Sequence, residues 1–141
     1  MKDNPTAFNS DSYEEKIGKT LPYYDEFYKQ IVDVVRLYQS TSLTWLDVGC
    51  GTGKMAEMAL GKIDMEQFVL CDCSEQMLQT AKMRLAGKNT VFRLSSVQEL
   101  EYKEVFDVVT AVQVHHYLQK EERQRAIRNC YQALKAGGWS V

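Results

Sequence analysis

The sequence predicts an α/β fold, a doubly wound and mostly parallel sheet with helices on both faces. Three observations predict it. Short apolar runs alternate with helical stretches along the chain, the pattern of βαβ units whose strands are buried on both sides. A glycine-rich loop, "LDVGCGTG", joins the first apolar run to the helix after it, at the carboxyl edge where such sheets hold ligands. The 141 residues suffice for one domain with a hydrophobic core.

The elements follow in order. Residues 1–20 are polar and poorly periodic and are expected to form a flexible arm, leaving 21–141 as the domain. Tyr24, Phe27, Tyr28, Ile31, Val35 and Tyr38 recur at helical spacing after Pro22, which predicts an amphipathic first helix. "LTWLDV" is a buried strand and "KMAEMAL" a helix that stops near Gly61. "QFVLCD" is the second strand. The helix after it has Ser74 as N-cap, Gly87 as terminator and Met77, Leu78, Ala81 and Leu85 as its apolar face. "TVFRLS" and "FDVVTAV" are the third and fourth strands. "KEERQRAIRNCYQALKAGG" reads as a helix with acidic residues in its first turn and a Gly-Gly stop, and "WSV" as the start of a fifth strand. The expected strand order is 3-2-1-4, with the fourth strand near an open edge and self-association through that edge a consequence.

Composition excludes several classes. The net charge is −2 and no Lys/Arg stripe stands out, which argues against a nucleic-acid surface. No run of about 18 apolar residues exists to span a membrane, and the opening residues lack a secretory apolar segment, so the expected location is cytoplasmic. Cys50, Cys71, Cys73 and Cys130 fit neither zinc-finger spacing nor a disulfide framework and are expected to be free thiols, with no metal site.

The glycine loop has three candidate ligands. A P-loop needs G-x-x-x-x-G-K-[ST], but here Val48 occupies the first glycine position and Met55 follows Lys54. A dinucleotide loop needs G-x-G-x-x-G, but here the third glycine falls at Gly53 instead of position 54. The pattern present is Asp-x-Gly-x-Gly-x-Gly, with Asp47, Gly49, Gly51 and Gly53.

That pattern resembles the first motif of the class I S-adenosylmethionine-dependent methyltransferases, which have a Rossmann-like fold. "LCDCSEQML" is similar to their second motif, "FDVVTAVQVHHYL" to their fourth-strand segment, and "ALKAGGWSV" to the turn into their fifth strand. The match thus covers residues 43–141, and the chain looks truncated after the start of the fifth strand. The resemblance implies S-adenosyl-L-methionine as cofactor and a small-molecule methyl acceptor. It places Gly49 and Gly51 at the methionine part and Asp47 near its ammonium group, with Gly53 also in the cofactor-binding loop. Asp72 would accept from the ribose hydroxyls; it lies 23 residues beyond Gly49, near the ~20-residue spacing of related sheets. Cys73 and Met77 would lie against the adenine. Many members carry an aspartate after the third strand, which accepts from the adenine amino group. Here Ser96 stands in its place, a neutral and weaker acceptor, with the Val97 amide beside it.

Catalytic residues are not legible. His115 and His116 are weak candidates for a general base, and neighbours on an extended segment point opposite ways. Tyr13, Tyr23 and Tyr24 are candidate lid residues. Methyl transfer chiefly requires an acceptor held in line with the methyl group, so missing acid–base motifs do not count against an enzyme. Two alternatives remain: a non-catalytic S-adenosylmethionine- or S-adenosylhomocysteine-binding fragment, and a nicotinamide-dependent oxidoreductase.

Overall fold

The computed structural model describes residues 24–39, 41–112 and 118–141. Five strands form a parallel sheet in the order β3-β2-β1-β4-β5: β1 Leu43–Val48, β2 Met65–Asp72, β3 Thr90–Leu94, β4 Phe106–Thr110 and β5 Leu134–Ser140. The helices are α1 Tyr24–Tyr38, α2 Lys54–Leu60, α3 Glu75–Arg84 and α4 Lys120–Ala133, with a 3-10 turn at Val97–Glu99. The expected doubly wound order therefore holds, and the chain direction across the sheet reverses between β1 and β4. In an open parallel sheet that reversal leaves a crevice at the carboxyl ends of the strands.

Strand periodicity divides the core in two. Trp45, Phe68, Leu70 and Val108 join Ile31, Val32 and Val35 of α1, Met55, Ala56 and Ala59 of α2, and Leu78 of α3. Leu46, Val48, Val69, Cys71 and Val109 join Ala126, Cys130 and Ala133 of α4. Trp45 and Phe68 stack at 5.2 Å between centroids on neighbouring strands. α1 is amphipathic as expected, but its buried stripe is Ile31, Val32 and Val35, while Phe27 and Tyr38 are exposed. In α3, Ser74 caps as predicted, accepting from the Met77 N–H at 3.3 Å, and Met77, Leu78, Ala81 and Leu85 are all buried.

The end of the chain departs from expectation. α4 stops at Ala133, and β5 begins at once with Leu134 opposite Phe106. The next aligned pair is Val108 with Trp139. Between them β4 advances by Asp107 alone, whereas β5 advances from Lys135 to Gly138. The Gly-Gly pair therefore serves a bulge within the strand rather than a helix stop. Gly137 has φ +79°, and a Cβ on Gly138 would sit 3.0 Å from the Asp107 and Lys135 carbonyl oxygens. β4 is consequently paired on both sides, and among the described residues β5 is the outermost strand on that side. Asp107 organises the start of β4. It accepts from the Thr44 N–H at 2.8 Å and the Thr44 hydroxyl at 2.9 Å, with Lys135 at 3.5 Å. Burial raises its carboxyl, yet these partners prevail and hold it below the usual carboxylate range.

Candidate functional site

The glycine loop leaves β1 at the crevice. Gly49, Gly51 and Gly53 have φ of 66°, 56° and 86°, a conformation costly to any residue with a Cβ. The constraint differs between positions. A Cβ on Gly51 would meet nothing within 4 Å, so open space lies in front of that backbone; one on Gly53 would press 3.1 Å from the Ala81 Cβ and 3.2 Å from the Leu85 Cδ1. Gly51 leaves room for a ligand, and Gly53 lets α3 pack against the loop. The Cys50 N–H donates to the Cys71 carbonyl at 2.9 Å, tying the loop to β2. Lys54, the first residue of α2, forms an ion pair with Asp25 of α1, which brings the start of the N-terminal helix to the loop's exit.

Asp47 is buried at the carboxyl end of β1, in register with Thr110 of β4. The Thr110 hydroxyl donates to its Oδ1 at 2.7 Å, and the Trp45 indole N–H donates to the Thr110 oxygen at 3.0 Å. Burial lifts the Asp47 carboxyl to about 7; the Thr110 hydrogen bond pulls it down and the charge of Asp72 pushes it further up. An amine-bearing ligand at this edge would supply the missing positive charge.

Asp72 ends β2 with both carboxylate oxygens engaged. Oδ2 accepts from the Gly51 N–H at 2.9 Å, and Oδ1 from the Ser74 N–H at 2.8 Å. One side chain thus fixes the glycine loop and the start of α3 to the same strand end. Cys73 is partly exposed beside it, and Met77 is buried in the first turn of α3. The Ser95 N–H donates to the Asp72 carbonyl at 3.0 Å, bringing the exit of β3 alongside.

Ser96 is buried there, and its hydroxyl donates to the Glu99 carboxylate at 2.7 Å across the 3-10 turn. The Val97 side chain goes into the core under α4. Asp47, Gly49, Gly51, Gly53, Asp72, Cys73, Ser96 and Val97 all fall at the carboxyl edge of β1, β2 and β3, with Met77 in the first turn of α3 beside it. His115, His116, Tyr13 and Tyr23 lie outside the described residues, as does the arm at 1–20. Sequence reasoning missed two residues. Thr110 was hidden in an apolar strand, where its only signal was a hydroxyl among Phe, Val and Ala. Glu99 was hidden in a turn that no periodicity marks.

A doubly wound α/β domain with a left-handed glycine loop, a buried Asp47 and a half-buried Asp72 at its switch point defines a class of ligand-binding domains. Within it the chain belongs to a methyltransferase family: residues 46–138 match the family described as "Methyltransferase domain". The chain is 28% identical over 142 aligned residues to a carboxy-S-adenosyl-L-methionine synthase of Trichodesmium erythraeum, covering 95% of this chain and 56% of that protein. It is 31% identical over 116 residues to a malonyl-[acyl-carrier protein] O-methyltransferase of Haemophilus ducreyi, covering 77% and 43%. An S-adenosylmethionine-dependent methyltransferase from Clostridium acetobutylicum shares the fold, with a TM-score of 0.75 at 21% identity over 93% of this chain and 56% of that one. The chain thus spans about half the length of these proteins.

Proposed function

We propose that the chain is the S-adenosyl-L-methionine-binding domain of a methyltransferase acting on a small molecule, with 21–141 as the folded domain and 1–20 as an arm. The observation that carries this reading is the Asp72 carboxylate, bonded to the Gly51 N–H at the mouth of a left-handed loop beside buried Asp47. The donor set fits the cofactor's chemistry: Asp47 for an ammonium, Asp72 for vicinal hydroxyls, Gly51 for close approach, and Cys73 and Met77 as polarizable surface for an adenine. Bound S-adenosylmethionine supplies a methyl group on a sulfonium that departs as a neutral thioether. This chain's residues then have to bind, orient and exclude water.

Cys50, Cys71 and Cys130 are buried free thiols, with burial pushing Cys71 up to about 12 and Cys130 to about 11; that supports a reducing, cytoplasmic setting. Among the described residues no helix is long and apolar enough to cross a membrane. We place nucleic acid outside its partners on the absence of a basic stripe. Calorimetry with S-adenosylhomocysteine, NAD and ATP tests the ligand, and transfer of a labelled methyl group to candidate acceptors tests the reaction. Binding of S-adenosylhomocysteine alone is expected. Saturable NAD binding without it would overturn the reading in favour of an oxidoreductase, and binding without transfer would favour the non-catalytic alternative.

A further inference from the structure

Ser96 is a neutral residue at the exit of β3, but it does not stand alone there. The 3-10 turn Val97–Glu99 folds the chain back so that the Glu99 N–H donates to the Ser96 carbonyl at 3.1 Å and the Ser96 hydroxyl donates to Glu99 Oε1 at 2.7 Å. A carboxylate is thereby held within a hydrogen bond of the Ser96 side chain. The Asn129 amide of α4 donates to the Val97 and Gln98 carbonyls at 3.0 and 2.9 Å, pinning the same turn. The Ser95 N–H anchors the β3 exit to the Asp72 carbonyl. Glu99 is otherwise exposed, so its remaining lone pairs are open to a donor from a ligand.

We propose that Glu99, positioned by Ser96, is the charged acceptor for the exocyclic amino group of the bound nucleoside and makes this site select an aminopurine. This rests on the S-adenosylmethionine reading and deepens it: the negative charge at the β3 exit comes from three residues further along the chain. The Ser96 hydrogen bonds also hold Glu99 below its usual carboxylate range, so it is ionised at neutral pH.

The test is a thermodynamic cycle between Glu99 and the amino group. Calorimetry measures S-adenosylhomocysteine and its 6-deamino analogue, with hydrogen in place of the amino group, against the unaltered chain and Glu99→Ala. A charge-assisted bond predicts that Glu99→Ala weakens S-adenosylhomocysteine by roughly tenfold or more and leaves the analogue unchanged. Ser96→Ala, which frees Glu99 from its tether, is expected to show the same pattern to a smaller degree. Equal losses for both ligands, or none for either, would overturn the assignment while leaving the cofactor reading standing. Failure of the unaltered chain to bind either ligand would overturn both. Circular dichroism melts confirm that each variant is folded.

Discussion

Asp47→Asn separates stability from function at a single oxygen. The carboxyl of Asp47 has an ordinary value of 3.8 and is lifted to about 7 in the fold, chiefly by burial. An acid whose folded value is raised holds its proton in the native state over a range where the unfolded chain has lost it. Its contribution to stability is therefore complete below about pH 4, declines as pH rises towards 7, and is flat above that. A rise of about three units, at 1.36 kcal/mol each, amounts to about 4 kcal/mol as an upper figure. Asparagine is neutral throughout and keeps an oxygen for the Thr110 hydroxyl. The two proteins are expected to melt together near pH 4 and to diverge progressively, with the Asn variant more stable by ~2–4 kcal/mol at pH 8, or several degrees in Tm for a chain of this length. The variant is also expected to bind S-adenosylhomocysteine less tightly at pH 8, because the charge facing the ammonium is gone. Calorimetric melts from pH 4 to 8, taken as differences between the two proteins, cancel every other titrating group. A difference independent of pH, or an Asn variant less stable at pH 8, would refute the argument that Asp47 is held at a cost.

Asp72→Ala is expected to weaken S-adenosylhomocysteine by ~1.5–3 kcal/mol, the range for bonds to a charged group, and also to lower Tm without ligand, because it releases the Gly51 and Ser74 amides; an unaltered dissociation constant would remove it from the site. Gly53→Ala should destabilise more than Gly51→Ala, since both share the ~1–2 kcal/mol backbone cost but only Gly53 also meets Ala81 and Leu85; equal melting shifts would contradict this. Ser96→Asp should give no gain in affinity, because its carboxylate would face Glu99, whereas the Ser96→Asp, Glu99→Gln double variant should restore binding; a clear gain from the single change, seen by titration, would show that the two side chains do not share a site. Light scattering is expected to show concentration-dependent association through the outer edge of β5, where Trp139 and Val141 are 38% and 48% exposed; Trp139→Lys should reduce it, and a monodisperse parent chain at every concentration would exclude such an edge contact.

Most of the fold was legible because strand and helix here differ in period and because the punctuation is strong. "LTWLDV" could be placed to the residue, and Ser74 was readable as a cap from its position alone. The β5 boundary was not. Gly137 and Gly138 look like a helix stop in one dimension, and only pairing to Phe106 and Val108 shows them as a bulge. The site divides in the same way. Asp47, Asp72 and the glycines stand out because spacing along the chain reflects their place in a βα unit. Thr110 reaches Asp47 across 63 positions of sequence through strand register, which no local pattern encodes. Asp72 is legible as an acceptor from its distance to Gly49, whereas its bonds to the Gly51 and Ser74 amides, which fix the loop and α3 to the strand end, are not.

The arrangement of Asp47 and Asp72 is itself an argument about the ligand. Folding alone gains little from a desolvated carboxyl on β1 whose charge is opposed by a second carboxylate at the end of the adjacent strand. An apolar residue at position 47 would avoid both penalties. The hydroxyl of Thr110 offsets only part of the cost, and the indole of Trp45 is spent on orienting that hydroxyl. Groups whose environment opposes their charge concentrate where a ligand supplies the compensation. Two acids at the mouth of one loop favour a cation over an anion, which is the opposite of what a loop of open amides at a helix N-terminus attracts by itself. A pyrophosphate in the loop would meet the opposing charge of buried Asp47, whereas an acid at the place of Asp72 is shared with dinucleotide sites. A ligand with a sulfonium and an ammonium would meet attraction from both carboxylates. Charge therefore separates this loop from the phosphate-binding loops it otherwise resembles in glycine content.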